Sequence, residues 1–371
     1  MGNAIPYRIL IGGGGTGGHV FPAIAIADAL HREHPNWEFL FVGAHGRLEM
    51  EKVPEAGYRI EGLPVTGFQR RLTLKNITFF YKLVASMLLS RRIIRSYKPH
   101  AAIGVGGYAS GPILRAAARK GVPILLQEQN SYAGVTNRML AKSARVICVA
   151  YDNMDRYFPV SKIILTGNPI RTSLLEAAPG RPGDLKEFHL AAGKKTCLVL
   201  GGSLGARTLN QSFMKDLKKL ERNDLQLIWQ CGKLYLDEVN GMVKRSGMNN
   251  IRVLAFISKM ERAYGAADVI ISRAGAITVS ELCVIGKPAI LVPSPNVAED
   301  HQRRNAEALV SRGAAIMIPD GEAPEKLVDT MLGLLDDQER RKELSGQIKK
   351  LAIPDASERI AAEVGKIIES L

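Results

Sequence analysis

Two stretches of this chain, RILIGGGGTGGHVFPAIAIADAL near the start and TCLVLGGSLGARTLNQSF past the middle, each run from an apolar segment through a glycine cluster into a helical pattern. A third cluster, Gly104 to Gly107, also follows an apolar run. Such loops turn a strand sharply into a helix and let backbone N–H groups close on a phosphate. The doubling predicts two similar units. Strand-like runs alternate with helical patterns almost throughout, which predicts parallel sheets wrapped by helices, an α/β fold.

Strands are expected near Arg8–Ile11, Glu38–Val42, Ala101–Val105, Pro123–Gln127 and Val146–Val149 in the first half. In the second they are expected near Cys197–Leu200, Gln226–Trp229, Arg252–Leu254, Val269–Ile271, Ala289–Val292 and Ala315–Ile318. The segment from Thr166 to Lys194, with Pro169, Pro179, Pro182 and several glycines, reads as the connection between domains. This divides the chain into residues 1–166 and 167–353, followed after Ile353-Pro354-Asp355 by a terminal helix over 354–371 that packs back on the first domain.

With 371 residues the chain is long enough for two cores. Cys148, Cys197, Cys231 and Cys283 lie far apart and form no Cys-x-x-Cys pair, so reduced, buried thiols are expected. Neither a signal peptide nor a membrane-spanning helix is readable. The net charge of +14 is uneven: residues 1–165 carry 21 Lys/Arg against 10 Asp/Glu, and the remainder 29 against 26. No acid occurs between Glu61 and Glu128, where Arg70, Arg71, Lys75, Lys82, Arg91, Arg92, Arg95 and Lys98 fall. One domain is built to meet something negative.

GGGGTGGH satisfies the GxGxxG spacing, but FLFVG ends in Gly43 and Ala44 without the acidic residue a dinucleotide ribose needs. A nicotinamide oxidoreductase is therefore disfavoured. His19 follows the loop at a helix start, where the positive end of the helix favours neutral imidazole. It reads either as a general base or as a loop-packing residue. The run from Gly104 to Pro112, with Gly106, Gly107 and Tyr108, suits a diphosphate or a close helix–strand approach. Glu128 and Asn130, at the end of the next strand, suit sugar hydroxyls and proton transfer, or simply loop polarity.

In SRAGAITVSELCVIGKP a helix starting near Gly275 points free N–H groups at a phosphate, and Glu281 reads as a ribose acceptor or a solvated charge. From Thr73 to Lys98 runs a helix with Ile77, Phe80, Tyr81, Val84, Met87, Leu88 and Ile94 as an apolar stripe, and Phe79, Leu83 and Leu89 off it. Spare apolar residues on a basic helix suit an anionic membrane; the alternatives are a core helix with a solvated basic face, or nucleic acid, which the absence of a reading motif disfavours. No Asp-x-Asp pair and no Walker lysine occurs, which disfavours a metal-held sugar nucleotide and a P-loop NTPase.

Together GGTGGHVFPA, GVGGYASGP, EQNSYAGVTN, GNPIR, GGSLGA and SRAGAITVSE, in this order over nearly the whole chain, closely resemble the MurG family. The resemblance implies a GT-B fold, two Rossmann-like domains with parallel sheets facing across a cleft. The first would take the acceptor and meet the membrane; the second would bind the donor. The implied activity moves GlcNAc from UDP-GlcNAc to the C4 hydroxyl of MurNAc in undecaprenyl-pyrophosphoryl-MurNAc-pentapeptide, lipid I to lipid II, with inversion. Donor contacts carried over are Thr16, Gly17, Gly18, Asn130, Arg171, Ser203, the Ile257 backbone, Ala276, Ile277, Thr278, Val279, Ser280, Glu281 and Gln302.

His19 matches the family's histidine beside the glycine loop. No cofactor and no metal is implied. Partners are UDP-GlcNAc, lipid I, an anionic membrane surface on the cytoplasmic face of the inner membrane, and cell-wall synthesis and division proteins. Two alternatives stand: a UDP-GlcNAc 2-epimerase of the same fold, and a non-catalytic nucleotide-sugar binder at the membrane surface.

Overall fold

The apolar run before each of the first and third glycine clusters forms an interior strand, the third in order, of its own parallel sheet. The computed structural model describes residues 6–65, 75–171, 174–175, 182–202, 204–222, 224–297 and 300–371, without the side chains of 75–80 and 182–183. It divides into residues 1–170 with 354–371, and residues 171–353. The division thus falls between Ile170 and Arg171, whereas the sequence places it after residue 166.

The first unit runs β1 (Arg8–Gly12), α1 (Gly17–Glu33), β2 (Glu38–Ala44), α2 (Glu49–Glu55), β3 (Arg59–Leu63) and α3 (Lys75–Tyr97). It continues with β4 (Ala101–Gly104), α4 (Ser110–Arg119), β5 (Ile124–Glu128), α5 (Val135–Leu140), β6 (Val146–Val149) and β7 (Ile163–Leu165). The sheet order is β3-β2-β1-β4-β5-β6-β7, with every neighbour parallel. Strand order therefore reverses between β1 and β4. In open α/β sheets ligands bind outside the carboxyl ends of the strands at such a point.

The second unit runs α6 (Pro182–Glu187), β8 (Lys195–Leu200), α7 (Arg207–Lys215), β9 (Leu225–Gln230), α8 (Leu236–Ser246), β10 (Ile251–Leu254), α9 (Met260–Ala266) and β11 (Val269–Ser272). Next come α10 (Ala276–Ile285), β12 (Ala289–Leu291), α11 (His301–Val310), β13 (Ile316–Met317), α12 (Ala323–Asp336) and α13 (Gln338–Lys349). Its parallel sheet is ordered β10-β9-β8-β11-β12-β13, which places the reversal between β8 and β11. The last helix, α14 (Ala356–Glu369), belongs to the first unit, where Ile360, Ala361, Val364, Ile367 and Ile368 join Ile26, Ala27 and Leu30 of α1 in one core.

Sequence reasoning missed β3 and β7, both edge strands. β3 carries Arg59, Glu61 and Gly62, and β7 has only three residues. An edge strand buries one flank and needs no long apolar run. In α3 the expected apolar stripe is corrected in part: Val84 and Leu88 are each 58% exposed and Tyr81 76%, while Ile94 of the stripe is buried, together with Ser86, Ser90 and Ile93. α3 lies along α4, and its covered side carries these serines and isoleucines while the larger apolar residues face outward. Leu89, expected off the stripe, packs against the core. The side chains of Ile77, Phe79 and Phe80 lie outside the described residues.

Candidate active site

Gly12 and Gly104 are partners in the β1–β4 register, so the first two glycine loops leave from adjacent strand ends. They touch. A Cβ on Gly107, whose φ is +85°, would stand 2.2 Å from the Gly14 carbonyl oxygen, and one on Gly13 would stand 2.1 Å from Val105 Cγ2. Only glycine permits this approach. Gly13 N–H donates to Val42 O (3.1 Å) and Gly15 N–H to Glu49 Oε2 (2.8 Å), both inward. Gly17 and Gly18 open α1, where helix amides lack an intrahelical acceptor.

His19 sits at the junction of these loops. Its Nδ1 is 3.2 Å from Thr16 Oγ1, and a Cβ on Gly106 would stand 3.0 Å from both Cδ2 and Nε2 of the ring. Tyr108, which follows Gly107, is exposed. Glu128, at the end of β5, is 2% exposed. One carboxylate oxygen accepts from Asn130 N (3.1 Å) and Asn130 Nδ2 (3.3 Å), the other from Gly134 N (3.0 Å) and Asn137 Nδ2 (2.9 Å). Burial pushes its carboxyl up, and these four donors oppose the shift. With both oxygens engaged, Glu128 fastens the loop that carries Asn130.

At the second reversal, Leu200 and Ser272 are partners in the β8–β11 register. A Cβ on Gly205, at φ +83°, would stand 2.3 Å from Cys231 O, so the third glycine loop closes on the end of β9. Ser203 lies outside the described residues. From β11 the chain passes through extended Gly275 into α10, so the amides of Ala276 and Ile277 open a helix at the carboxyl edge.

Glu281, one of its residues, is 4% exposed and so is no solvated charge. Tyr264 O–H donates to its Oε2 at 3.0 Å, and Arg171 Nε is 3.5 Å from its Oε1. Burial raises the Tyr264 hydroxyl far above its usual range, so it stays a donor. Ile257 N–H donates to Gln230 Oε1 (3.2 Å), and Gln302 Oε1 accepts from Ser294 N (2.9 Å).

Two family models match: the glycosyltransferase family 28 N-terminal domain over residues 9–149, and the C-terminal domain of the same family over 196–360. The UDP-N-acetylglucosamine--N-acetylmuramyl-(pentapeptide) pyrophosphoryl-undecaprenol N-acetylglucosamine transferase of Phocaeicola vulgatus is 54% identical over 363 residues, 98% of this chain and 96% of the relative. The crystal structure of Acinetobacter baumannii MurG is similar with a TM-score of 0.78 at 30% identity, over 97% of this chain and 100% of that one. The chain belongs to the MurG family.

Its fold class is therefore GT-B, with two Rossmann-like α/β units. A UDP-GlcNAc 2-epimerase from Neisseria meningitidis, at 14% identity and a TM-score of 0.69 over 98% of this chain and 100% of that one, shares the fold alone. The MurG-family residues expected from sequence fall into two groups. Thr16, Gly17, Gly18, His19, Gly106, Gly107, Tyr108, Glu128 and Asn130 belong to the first unit; Arg171, Ile257, Ala276 to Glu281 and Gln302 belong to the second. Within the first, Thr16, His19 and Gly106 meet; within the second, Arg171 and Glu281 do.

Gln302 holds the chain at Ser294, and the Ile257 N–H is engaged by Gln230. Among the described residues, no three His, Cys, Asp or Glu side chains gather as a metal site would require. Sequence reasoning missed Tyr264 and Glu49. Neither lies in a glycine loop or in a quoted motif, and a buried side chain reached through the fold leaves no spacing to read.

Proposed function

We propose that the chain moves N-acetylglucosamine from UDP-GlcNAc to the muramyl C4 hydroxyl of undecaprenyl-pyrophosphoryl-MurNAc-pentapeptide, lipid I to lipid II in peptidoglycan synthesis, with inversion. The observation that carries this is the 54% identity over 363 residues to a relative named for that transfer, since the match spans both strand-order reversals. Thr16, Gly17, Gly18 and Asn130, with Arg171, Ser203, Ile257, Ala276 to Glu281 and Gln302, bind the donor. Glu281 takes the ribose hydroxyls. Tyr264 holds its Oε2, and its Oε1 accepts no hydrogen bond among the described residues.

The C4 oxygen forms its bond to the anomeric carbon as the bond from that carbon to the UDP oxygen breaks on the opposite side. The hydroxyl proton goes to His19. In the tautomer that donates Nδ1–H to Thr16 Oγ1, Nε2 is the nitrogen that takes it. The departing diphosphate gains charge, and loop and helix-start amides such as those of α10 stabilise it; one preorganised donor contributes about 3 kcal/mol. Glu128 assists by fastening Asn130 rather than as a second base, and Gly106, Gly107 and Tyr108 take the acceptor diphosphate.

The same reading puts the protein on the cytoplasmic face of the inner membrane. Among the described residues no helix is long and apolar enough to cross a membrane. On α3, exposed Val84 and Leu88 lead into exposed Arg91, Arg92 and Arg95. Beside them a cavity of about 690 Å³ is lined by Leu83, Met87, Pro112, Met139, Arg115 and Arg119, among others. Apolar residues with a basic border suit anionic lipid.

Incubation with labelled UDP-GlcNAc and a short-chain lipid I analogue tests the reading. Labelled disaccharide is expected. Free 2-epimer would make the chain an epimerase, and unchanged donor a binder.

A further inference from the structure

Glu49 stands at the start of α2, 34 residues beyond the loop residue it meets. It is 1% exposed. Its Oε2 accepts the Gly15 N–H at 2.8 Å and its Oε1 the Ala44 N–H at 2.9 Å. Lys52, on the same helix, pairs with Glu51 and Glu55, and no cation pairs with Glu49 among the described residues. Two glycines make room for the side chain. A Cβ on Gly14 would stand 2.2 Å from Oε1, and one on Gly43 would stand 2.4 Å from Cγ.

Burying a carboxylate without a cation is costly, and an apolar side chain of similar volume would seat α2 against the sheet at lower cost. What an apolar side chain cannot do is hold an N–H. Gly15 has φ +93° and nothing within 4 Å of where a Cβ would be, so packing does not hold it on that side. An ionised acceptor makes a shorter and stronger bond to an amide than a neutral one does. The residue after Gly15 is Thr16, which extends its hydroxyl to His19.

We propose that Glu49 is a positioning residue for the transfer reaction: its carboxylate clamps Gly15 and thereby sets Thr16, His19 and the start of α1 in the arrangement the chemistry uses. It touches no reacting atom. The proposal rests on His19 as the base, so its test includes a measurement made without substrate.

Glu49→Gln keeps the shape but offers one oxygen to two N–H donors and turns an NH2 group toward one of them. Its melting temperature should stay close to the parent's. On a water-soluble acceptor kcat should fall on the order of tenfold to a hundredfold, with KM for UDP-GlcNAc within about threefold, because misplacing a reacting group weakens the chemical step more than donor binding. By NMR without substrate, the Gly15 amide should exchange faster and the His19 ring signals should move.

A mutant that keeps the parent's kcat overturns the proposal. So does one that loses activity only in proportion to lost folded protein, which would make Glu49 a fold-holding group. If the parent transfers no GlcNAc, the transferase reading fails; unchanged Gly15 exchange and His19 signals in the mutant would overturn the clamp regardless.

Discussion

Burial lifts the Glu281 carboxyl above the ordinary carboxylate range, while Arg171 and Tyr264 pull it back toward ionisation. A protonated carboxyl donates where the ribose needs an acceptor. Lowering the pH through that raised value should therefore weaken UDP binding at a higher pH than an ordinary glutamate, at about 4.3, would set. Calorimetry across pH checks this. Glu281→Gln should bind UDP and UDP-GlcNAc about 1.5–3 kcal/mol more weakly and lose the acid dependence. Unchanged UDP affinity in a folded mutant would remove Glu281 from the site. His19→Ala should lower kcat by roughly 10²–10⁴ and abolish the acidic limb of the kcat profile, with UDP affinity within a few fold. A mutant that keeps both kcat and limb would make His19 a loop-packing residue. Glycine loops are legible because few other residues make a strand-to-helix turn this tight. Glu49 is not, because only the folded chain brings it to Gly15.

At the scale of single elements, the units of strand, glycine turn and helix at β1–α1 and β8–α7 follow directly from apolar runs ending in glycine. Edge strands β3 and β7 do not, since half-exposed short strands need no strong pattern. Helix α3 shows a different limit. Its periodicity is plain in the sequence, but which face is covered is set by the packing of the whole unit, which buries Ser86 and Ser90 and leaves Val84 and Leu88 outward. The outward face then makes a specific prediction. The parent should bind vesicles containing anionic lipid, more weakly at high salt, each basic residue contributing about 1 kcal/mol near such a surface. Reversing charge at Arg91, Arg92 and Arg95 should release the protein while its turnover of a water-soluble acceptor persists. Sedimentation with the vesicles is the measurement, and equal binding of mutant and parent would sink the assignment.

Across the whole molecule, the doubled sequence pattern becomes two parallel sheets, each with its strand order reversing beside a glycine loop. The chain ends in the unit where it began: α14 buries Ile360, Val364 and Ile367 with α1, the helix whose first turn carries His19. Each fully buried aliphatic side chain contributes about 1.5–3 kcal/mol. Removing residues 354–371 should therefore lower the melting temperature by roughly 10 °C or more in calorimetry. An unchanged first transition would show that α14 is dispensable to that unit. The proposed reaction is a direct inverting displacement with proton transfer to His19 and amide stabilisation of the leaving UDP. Its most direct test is proton NMR of the disaccharide formed from UDP-GlcNAc and a water-soluble lipid I analogue in the presence of EDTA. A β-1,4 linkage formed at nearly the rate seen without EDTA is expected; an α linkage, or turnover that stops with EDTA and returns with added divalent cation, would contradict a direct displacement of this kind.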